Sequence, residues 1–352
     1  MSVAAPPLPT LLVIPTGIGC AVGGFAGDGL PAARLLAAAS GCLITHPNVL
    51  NAASLYWSDR RIHYVEGWSL DRFAAGALAL APVPSQRVGV LMDAGLEPEL
   101  ALRHRQVIDA CRASLGLTIG PVRTTDEPLA VSLSIGPSGS SWGTVGRPDA
   151  LLRAGEALLA AGATAIAVVA RFPDEPGSDA LAAYRHGSGV DALAGAEAVI
   201  SHLLVRHLGV PCAHAPALAP LPPDPALDPR AAAEELGHTF LPCVLVGLSR
   251  APSLRPEPAS VHGLLHGADL GAVVVPAGAL GGEAVLACAE RGVPVIAVEG
   301  NPCLLQVGGE GLGLPVIAAA SYAEAAGMVL ALREGLDPAA LRRPMAPQGS
   351  PR

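Results

Sequence analysis

The chain has 352 residues and a net charge of −8, and all 22 of its basic residues are arginine. With no lysine there is no Schiff base, no P-loop or kinase lysine and no Ser-Lys dyad, which excludes pyridoxal-phosphate, lysine-aldolase and P-loop chemistry together. An acidic, lysine-free chain is equally unsuited to gripping nucleic acid by its phosphates.

In chain order, residues 10–51 read as a strand over 11–14 closed by Pro15, a glycine-rich loop, a helix over Leu30–Ser40 capped by Gly41, and a strand over 42–45. The polar turn His46-Pro47-Asn48 ends the unit. The loop glycines Gly17, Gly19, Gly23 and Gly24 lack dinucleotide-fingerprint spacing, and His46 stands where an acidic residue would end the second strand, so NAD is not expected. A phosphate or carboxylate held by backbone N–H groups remains, which makes these glycines, His46 and Asn48 candidate substrate contacts. Asp28, in the same loop, is an acid/base candidate.

Residues 51–80 hold most of the aromatics: Tyr56, Trp57, Tyr64, Trp68 and Phe73. A local cluster or a homo-oligomer contact through 54–73 is the expected use. A strand over 87–92 ends at Asp93, which is both a catalytic address and a common helix N-cap position. The helix that follows has Pro98 in its first turn and Gly116 at its end. From 117 to 135 the pattern changes to short alternating strands. The boundary is set there, giving an N-terminal lobe over 1–125, a C-terminal lobe over 126–335 and a tail over 336–352. The loop 138–147 is an anion-binding or lid candidate. Arg171 leaves the buried strand TAIAVVARF toward a cleft, as an arginine clamp for a carboxylate or phosphate would.

Residues 184–250 are the most polar segment. His186, Glu197, His202, His207, Cys212, His214, His238 and Cys243 are all metal-ligand types, but their spacings do not fit a site. His202 and His207, five apart on a helix, diverge by about 140°. His262 and His266 share a helix face at i, i+4. No metal is predicted. A strand over 242–248 ends at Arg250, a second anion clamp. His214 follows the strand GVPCAH, is expected in a loop on the same edge as Asn301 and Arg250, and is the leading general acid/base, since an imidazole titrates near neutrality. Cys212 points into that strand as a core residue.

Residues 271–303 repeat the first unit: strand over 271–275, small-residue loop, helix from Glu283, Gly292, strand over 294–298 and a polar turn. Strand carboxyl ends bind ligands in open α/β sheets, so Gly281, Gly282, Glu299 and Asn301 are expected to line a cleft. The repeat suggests two lobes with their glycine loops facing each other.

Through IPTGIG, AGD, THPNVLN, LYW, VARFPD, GAEAVISHL, CAHAPAL, AAEELG, TFLPCVLVGLSRAP and VEGNP, residues 10–320 resemble a family of uncharacterised proteins typical of cyanobacteria and plastid-bearing organisms. That family carries a domain-of-unknown-function label and implies no chemistry. A shorter stretch, Cys212-Ala-His214-Ala-Pro216-Ala-Leu218, is similar to the C-T-H-x-P-x-L signature of aspartate/glutamate racemases, and GCAVGG at 19–24 to their opening glycines. The resemblance implies a cofactor-independent two-thiol racemase with Cys212 as one thiol and Cys20 or Cys303 as the other.

Aromatics are 3 % of the chain and Ala, Val, Leu and Ile dominate its 51 % of hydrophobic residues, so helices can approach sheets closely. The seven cysteines have no C-x-x-C and read as reduced thiols. No signal segment and no run of about 18 apolar residues is present, so a cytoplasmic protein outside the membrane is expected. The expected fold is α/β, mostly parallel sheet, in two Rossmann-like lobes around a central cleft. The expected function is an enzyme for a small anionic metabolite, without cofactor. Alternatives are a non-catalytic metabolite-binding or assembly protein and the racemase.

Overall fold

Short β-branched runs flanked by glycine and proline build two parallel sheets, as the apolar pattern predicts for strands buried on both faces. The computed structural model describes residues 5–52, 58–174, 177–235 and 240–344. One sheet has six strands in the order Ile317–Ala319 (β15), Val295–Val298 (β14), Ala272–Pro276 (β13), Thr10–Leu12 (β1), Leu43–Thr45 (β2) and Ile62–Tyr64 (β3). The other has four, in the order Cys212–Ala217 (β10), Ala165–Arg171 (β9), Val88–Met92 (β5) and Ile119–Thr124 (β6). Both are parallel throughout. Two antiparallel pieces complete the strands. They are Ser253–Pro256 (β11), Leu78–Ala81 (β4) and Leu265–His266 (β12) in one, and Val131–Ile135 (β7) with Ser141–Val145 (β8) in the other. The protein is thus a mixed α/β fold.

The sheets divide the chain differently from a cut at 125. The six-stranded sheet takes strands from both ends of the chain and the four-stranded sheet takes the middle. The two similar units therefore lie side by side: β1 pairs with β13 in register Thr10↔Ala272. Strand order reverses between these two strands, the usual place for a ligand crevice. Here the chain fills it itself. Ala21 N donates to Pro302 O at 3.0 Å and Leu304 N to Ile18 O at 3.0 Å, and a Cβ on Gly278 would lie 2.5 Å from Leu305 O.

Helix ends follow the sequence signals. Gly41 takes φ 77° and donates to Ala37 O, and Gly116 takes φ 65°, conformations that glycine adopts without a Cβ clash. Several segments depart from expectation. The expected loop 138–147 carries β8, paired antiparallel with β7. The apolar run after Phe240 is a helix, Leu241–Leu248, and not a strand. It is apolar all round and buried between layers, and short apolar runs do not reveal their period. His262 and His266 share no helix: His266 lies in β12, and its Nδ1 meets Glu257 Oε1 at 2.6 Å. Of the aromatic cluster, Tyr56 and Trp57 lie outside the described residues. Tyr64 and Phe73 are buried in the core, so neither offers a surface for a second subunit. His238 also lies outside the described residues.

Candidate functional site

The carboxyl ends of β9 and β10 open into a cavity of about 240 Å³, which Ala26, Asn48 and Asn51 from the segments after β1 and β2 also line. Most of its wall is apolar, including Leu133, Leu181, Leu193, Val244 and the proline segment 220–222.

Its polar centre is built by β10 and the helix Ala194–Leu208. His214 sits on β10, opposite Val168 of β9. Glu197 and Ser201 are one helical turn apart, so both reach the same side of their helix. Ser201 Oγ lies 2.5 Å from His214 Nδ1, and Glu197 Oε2 lies 3.3 Å from His214 Nε2. Burial opposes charge on the imidazole, but the carboxylates of Glu197, Glu66 and Asp191 outweigh it and raise the pKa of His214. Behind it, Glu66 caps the helix Gly67–Ala74 by accepting from Ser69 N at 3.3 Å. Its other oxygen meets His202 Nε2 at 3.0 Å. Burial lifts Glu66 to about 7, although the N–H groups of Trp68 and Ser69 and the charge of His214 pull it back.

Asp191 and Glu234 face the same cavity. Asp191 accepts from Leu193 N at 2.9 Å. Burial first, and then the charge of Glu197, raise it to about 7. Glu234 accepts from Tyr184 Oη at 2.7 Å and from Ala26 N. Burial and the charge of Asp191 push it well above the ordinary carboxylate range. The glycine loop reaches the cavity through this contact. Its Phe25 also stacks on Tyr184 with ring centroids 4.4 Å apart, and Arg230 lies 4.7 Å over Phe25.

The residues expected from sequence separate clearly. His214 and Asn48 line the cavity, and Asn48 Nδ2 is buried with no partner among the described residues. Asp93 is committed to structure, accepting from Gly95 N at 2.8 Å, Leu129 N at 2.9 Å and Arg171 N at 3.0 Å. Asp28 turns back on its own loop and accepts from Phe25 N at 3.4 Å, with burial raising it to about 6. His46 accepts from Ile14 N at 3.3 Å and is held neutral, its pKa driven down to about 4 by burial. Arg171 is no free clamp: it pairs with Glu97 at 2.8 Å and Asp174 at 2.5 Å. Arg250 is exposed beside Asp59, Tyr64 and Gly247, away from the cavity. Asn301 is 1 % exposed and ties the glycine loop down, accepting from Val22 N at 2.8 Å and donating to Val22 O at 2.9 Å. Glu299 and Gly282 are exposed outside the cavity.

The glycines are packing residues. A Cβ on Gly17 would meet Ser141 Cβ at 3.0 Å, and on Gly19 Gly189 O at 3.2 Å. On Gly23 it would meet Ile14 Cγ2 at 2.6 Å, on Gly24 Cys20 O at 2.1 Å, and on Gly281 Val307 Cγ1 at 3.2 Å. Each close approach is to the protein itself. Among the described residues no group of three or more His, Cys, Asp or Glu is arranged to hold a metal ion, and no helix is long and apolar enough to cross a membrane.

Sequence reasoning missed Asp191, Glu234, Tyr184, Ser201 and Glu66, and took Glu197 only as a metal-ligand type. The i, i+4 pair Glu197/Ser201 was a legible signal. The others come together only through the tertiary fold.

A family model described as "Protein of unknown function (DUF3326)" matches residues 9–342. An uncharacterized lipoprotein of the cyanobacterium Synechococcus sp. is 56 % identical over 334 residues, which is 95 % of this chain and 93 % of that protein. No solved structure matches. The relative's name is that of a lipid-anchored protein, and it overturns the expectation of a cytoplasmic location. No similarity to the racemases is shown. Cys212 is buried, its thiol raised well above its ordinary pKa first by burial and then by Glu66, the reverse of what a thiolate base needs.

Proposed function

The chain belongs to the DUF3326 family of proteins of unknown function, so an activity has to be argued from the cavity, and we propose that it is an enzyme whose general acid/base is His214. The observation that carries this reading is the bracketing of one imidazole, with Ser201 at Nδ1 and Glu197 at Nε2, in the wall of a largely apolar cavity. Ser201 is 3 % exposed and does not line the cavity, so it orients the ring and is no nucleophile. Nε2 is the nitrogen at the substrate side. With Glu197 beside it, His214 can give up and regain a proton there while its charged form stays stabilised. The largely apolar walls lower the local dielectric and strengthen that electrostatic pairing. No oxyanion cradle or metal is invoked, so the reading is a proton-transfer reaction such as an isomerisation, elimination or hydration.

The test is an incubation of the protein with a small-molecule extract of cells, followed by mass-spectrometric comparison with the His214→Ala variant. Metabolites that change with the wild type and not with the variant support the reading. Equal change with both, or none with the wild type while the extract still protects it from thermal unfolding, makes the protein a binder and sinks the enzyme reading.

A further inference from the structure

We infer that the ligand of this cavity is an organic cation, an amine with an apolar body, whose ammonium group sits among Asp191, Glu197 and Glu234. The inference rests on the reading of the cavity as the substrate site and reverses the charge expected of the substrate.

The charges facing the cavity are few. Glu235 is matched by Arg185 at 2.6 Å and Asp174 by Arg171 at 2.5 Å. Tyr184 gives its one O–H to Glu234. What remains is Asp191, Glu197 and Glu234 on one side and His214 on the other, with Glu66 behind His214 and already held by His202. Three carboxyl groups against one imidazole leave an excess of acid in a largely apolar cavity. Only protons or a cation can neutralise such a set, because a buried unpaired carboxylate is strongly disfavoured. A carboxylate or phosphate ligand would add a fourth like charge. An ammonium group brings both the missing charge and up to three N–H donors for the carboxylate oxygens. Leu181, Leu193 and Val244 cover the apolar part of the ligand.

The cation and the protons compete for the same oxygens, so affinity must rise with pH. With Asp191 raised to about 7 and Glu234 raised well above the ordinary range, displacement of the Asp191 proton alone makes binding about tenfold weaker at pH 6 than at pH 8, and displacement of the Glu234 proton deepens the loss.

The experiment uses three probes of one shape: cyclohexylmethylamine, cyclohexylmethanol and cyclohexanecarboxylate. Each is titrated into the full chain at pH 6 and pH 8, with isothermal calorimetry and thermal unfolding as readouts. The expected result is binding of the amine alone, at least about tenfold tighter at pH 8. Binding is lost in Asp191→Asn and in Glu234→Gln, each checked for its fold by circular dichroism. Preferential binding of the carboxylate or the alcohol, binding of the amine that neither variant weakens, or no binding of any probe overturns the inference. The two readings fail separately. Amine binding without any His214-dependent turnover of extract metabolites removes the catalytic reading only. His214-dependent turnover with the amine excluded removes the cation only.

Discussion

Ser201 Oγ and His214 Nδ1 are 2.5 Å apart, a contact that fixes which imidazole nitrogen meets Glu197 and the cavity. When the ring is charged, Nδ1–H donates to the hydroxyl and Nε2–H to the carboxylate, so both neighbours favour the imidazolium. Glu197→Gln removes a full charge at 3.3 Å, and Ser201→Ala removes one neutral acceptor. Both variants are therefore expected to lower the pKa of His214, Glu197→Gln by more, because hydrogen bonds between charged groups are the stronger kind. Titration of the His214 Cε1–H resonance by NMR measures this without a substrate. An unchanged or raised pKa in both would mean that neither residue supports the ring.

Arg171 and Arg250 are expected to part company when truncated. Arg171 joins Glu97 of the segment after β5 to Asp174 after β9 and also donates to the carbonyl of Ala217. Arg171→Ala leaves Glu97 to solvent and Asp174 with only the N–H of Ala219, and should lower the unfolding free energy by about 1–2 kcal/mol. Arg250→Ala, on an exposed side chain, should change it by less than about 0.5 kcal/mol. Urea unfolding of the two variants gives the comparison. Equal losses would contradict this assignment of roles.

Strands and glycine caps were legible because each is a local signal, whereas His214, expected in a loop after its strand, lies within β10. The run Val273-Val274-Val275 needs no partner to read as buried strand, and Gly41 needs only its own backbone to read as a helix end. The partition into sheets was not legible, since the pairing of Thr10 with Ala272 spans most of the chain and no local pattern records it. The role of the glycine loop was misread for the same reason. Its glycines look like an anion cradle until Ser141, Gly189 and Ile14 are seen to occupy the space. The acids of the cavity were invisible in another way. Asp191 and Glu234 are ordinary polar residues in their own segments, and only the fold buries them together.

The glycine loop gives a prediction of its own. Gly23 has φ +81° and a Cβ there would lie 2.6 Å from Ile14 Cγ2, so Gly23→Ala meets both backbone strain and a core clash. A loss of about 2–4 kcal/mol is expected. Gly282 has φ −71°, and a Cβ added there would have no atom within 4 Å. Gly282→Ala should be neutral or stabilising by up to about 1 kcal/mol. Thermal unfolding of the pair decides it. A phosphate cradle would have shown the opposite dependence on ligand, with Gly23→Ala destabilising only when phosphate is present.

The buried carboxyl groups also set how stability responds to pH. Asp191 and Glu66 titrate at about 7 in the folded chain, and Asp28 and Asp71 at about 6, all above the ordinary carboxylate range. Each therefore binds its proton more tightly folded than unfolded. The stability it contributes is complete below its unfolded pKa and is lost as pH rises through its folded value. His46 runs the other way, its pKa depressed to about 4, so its contribution grows with pH only up to about 6.5, where the unfolded imidazole loses its proton. Above that point the raised carboxyls act without opposition, and the raised pKa of His214 adds in the same direction. The urea midpoint is thus expected to fall between pH 6.5 and pH 8. Asp191→Asn removes one of the two groups that titrate at about 7 and should make the fall shallower, while Arg250→Ala should leave its slope unchanged. A midpoint that is flat or rises over this range would mean that these carboxyls are ionised in the folded protein at neutral pH, paired with a partner that has yet to be identified.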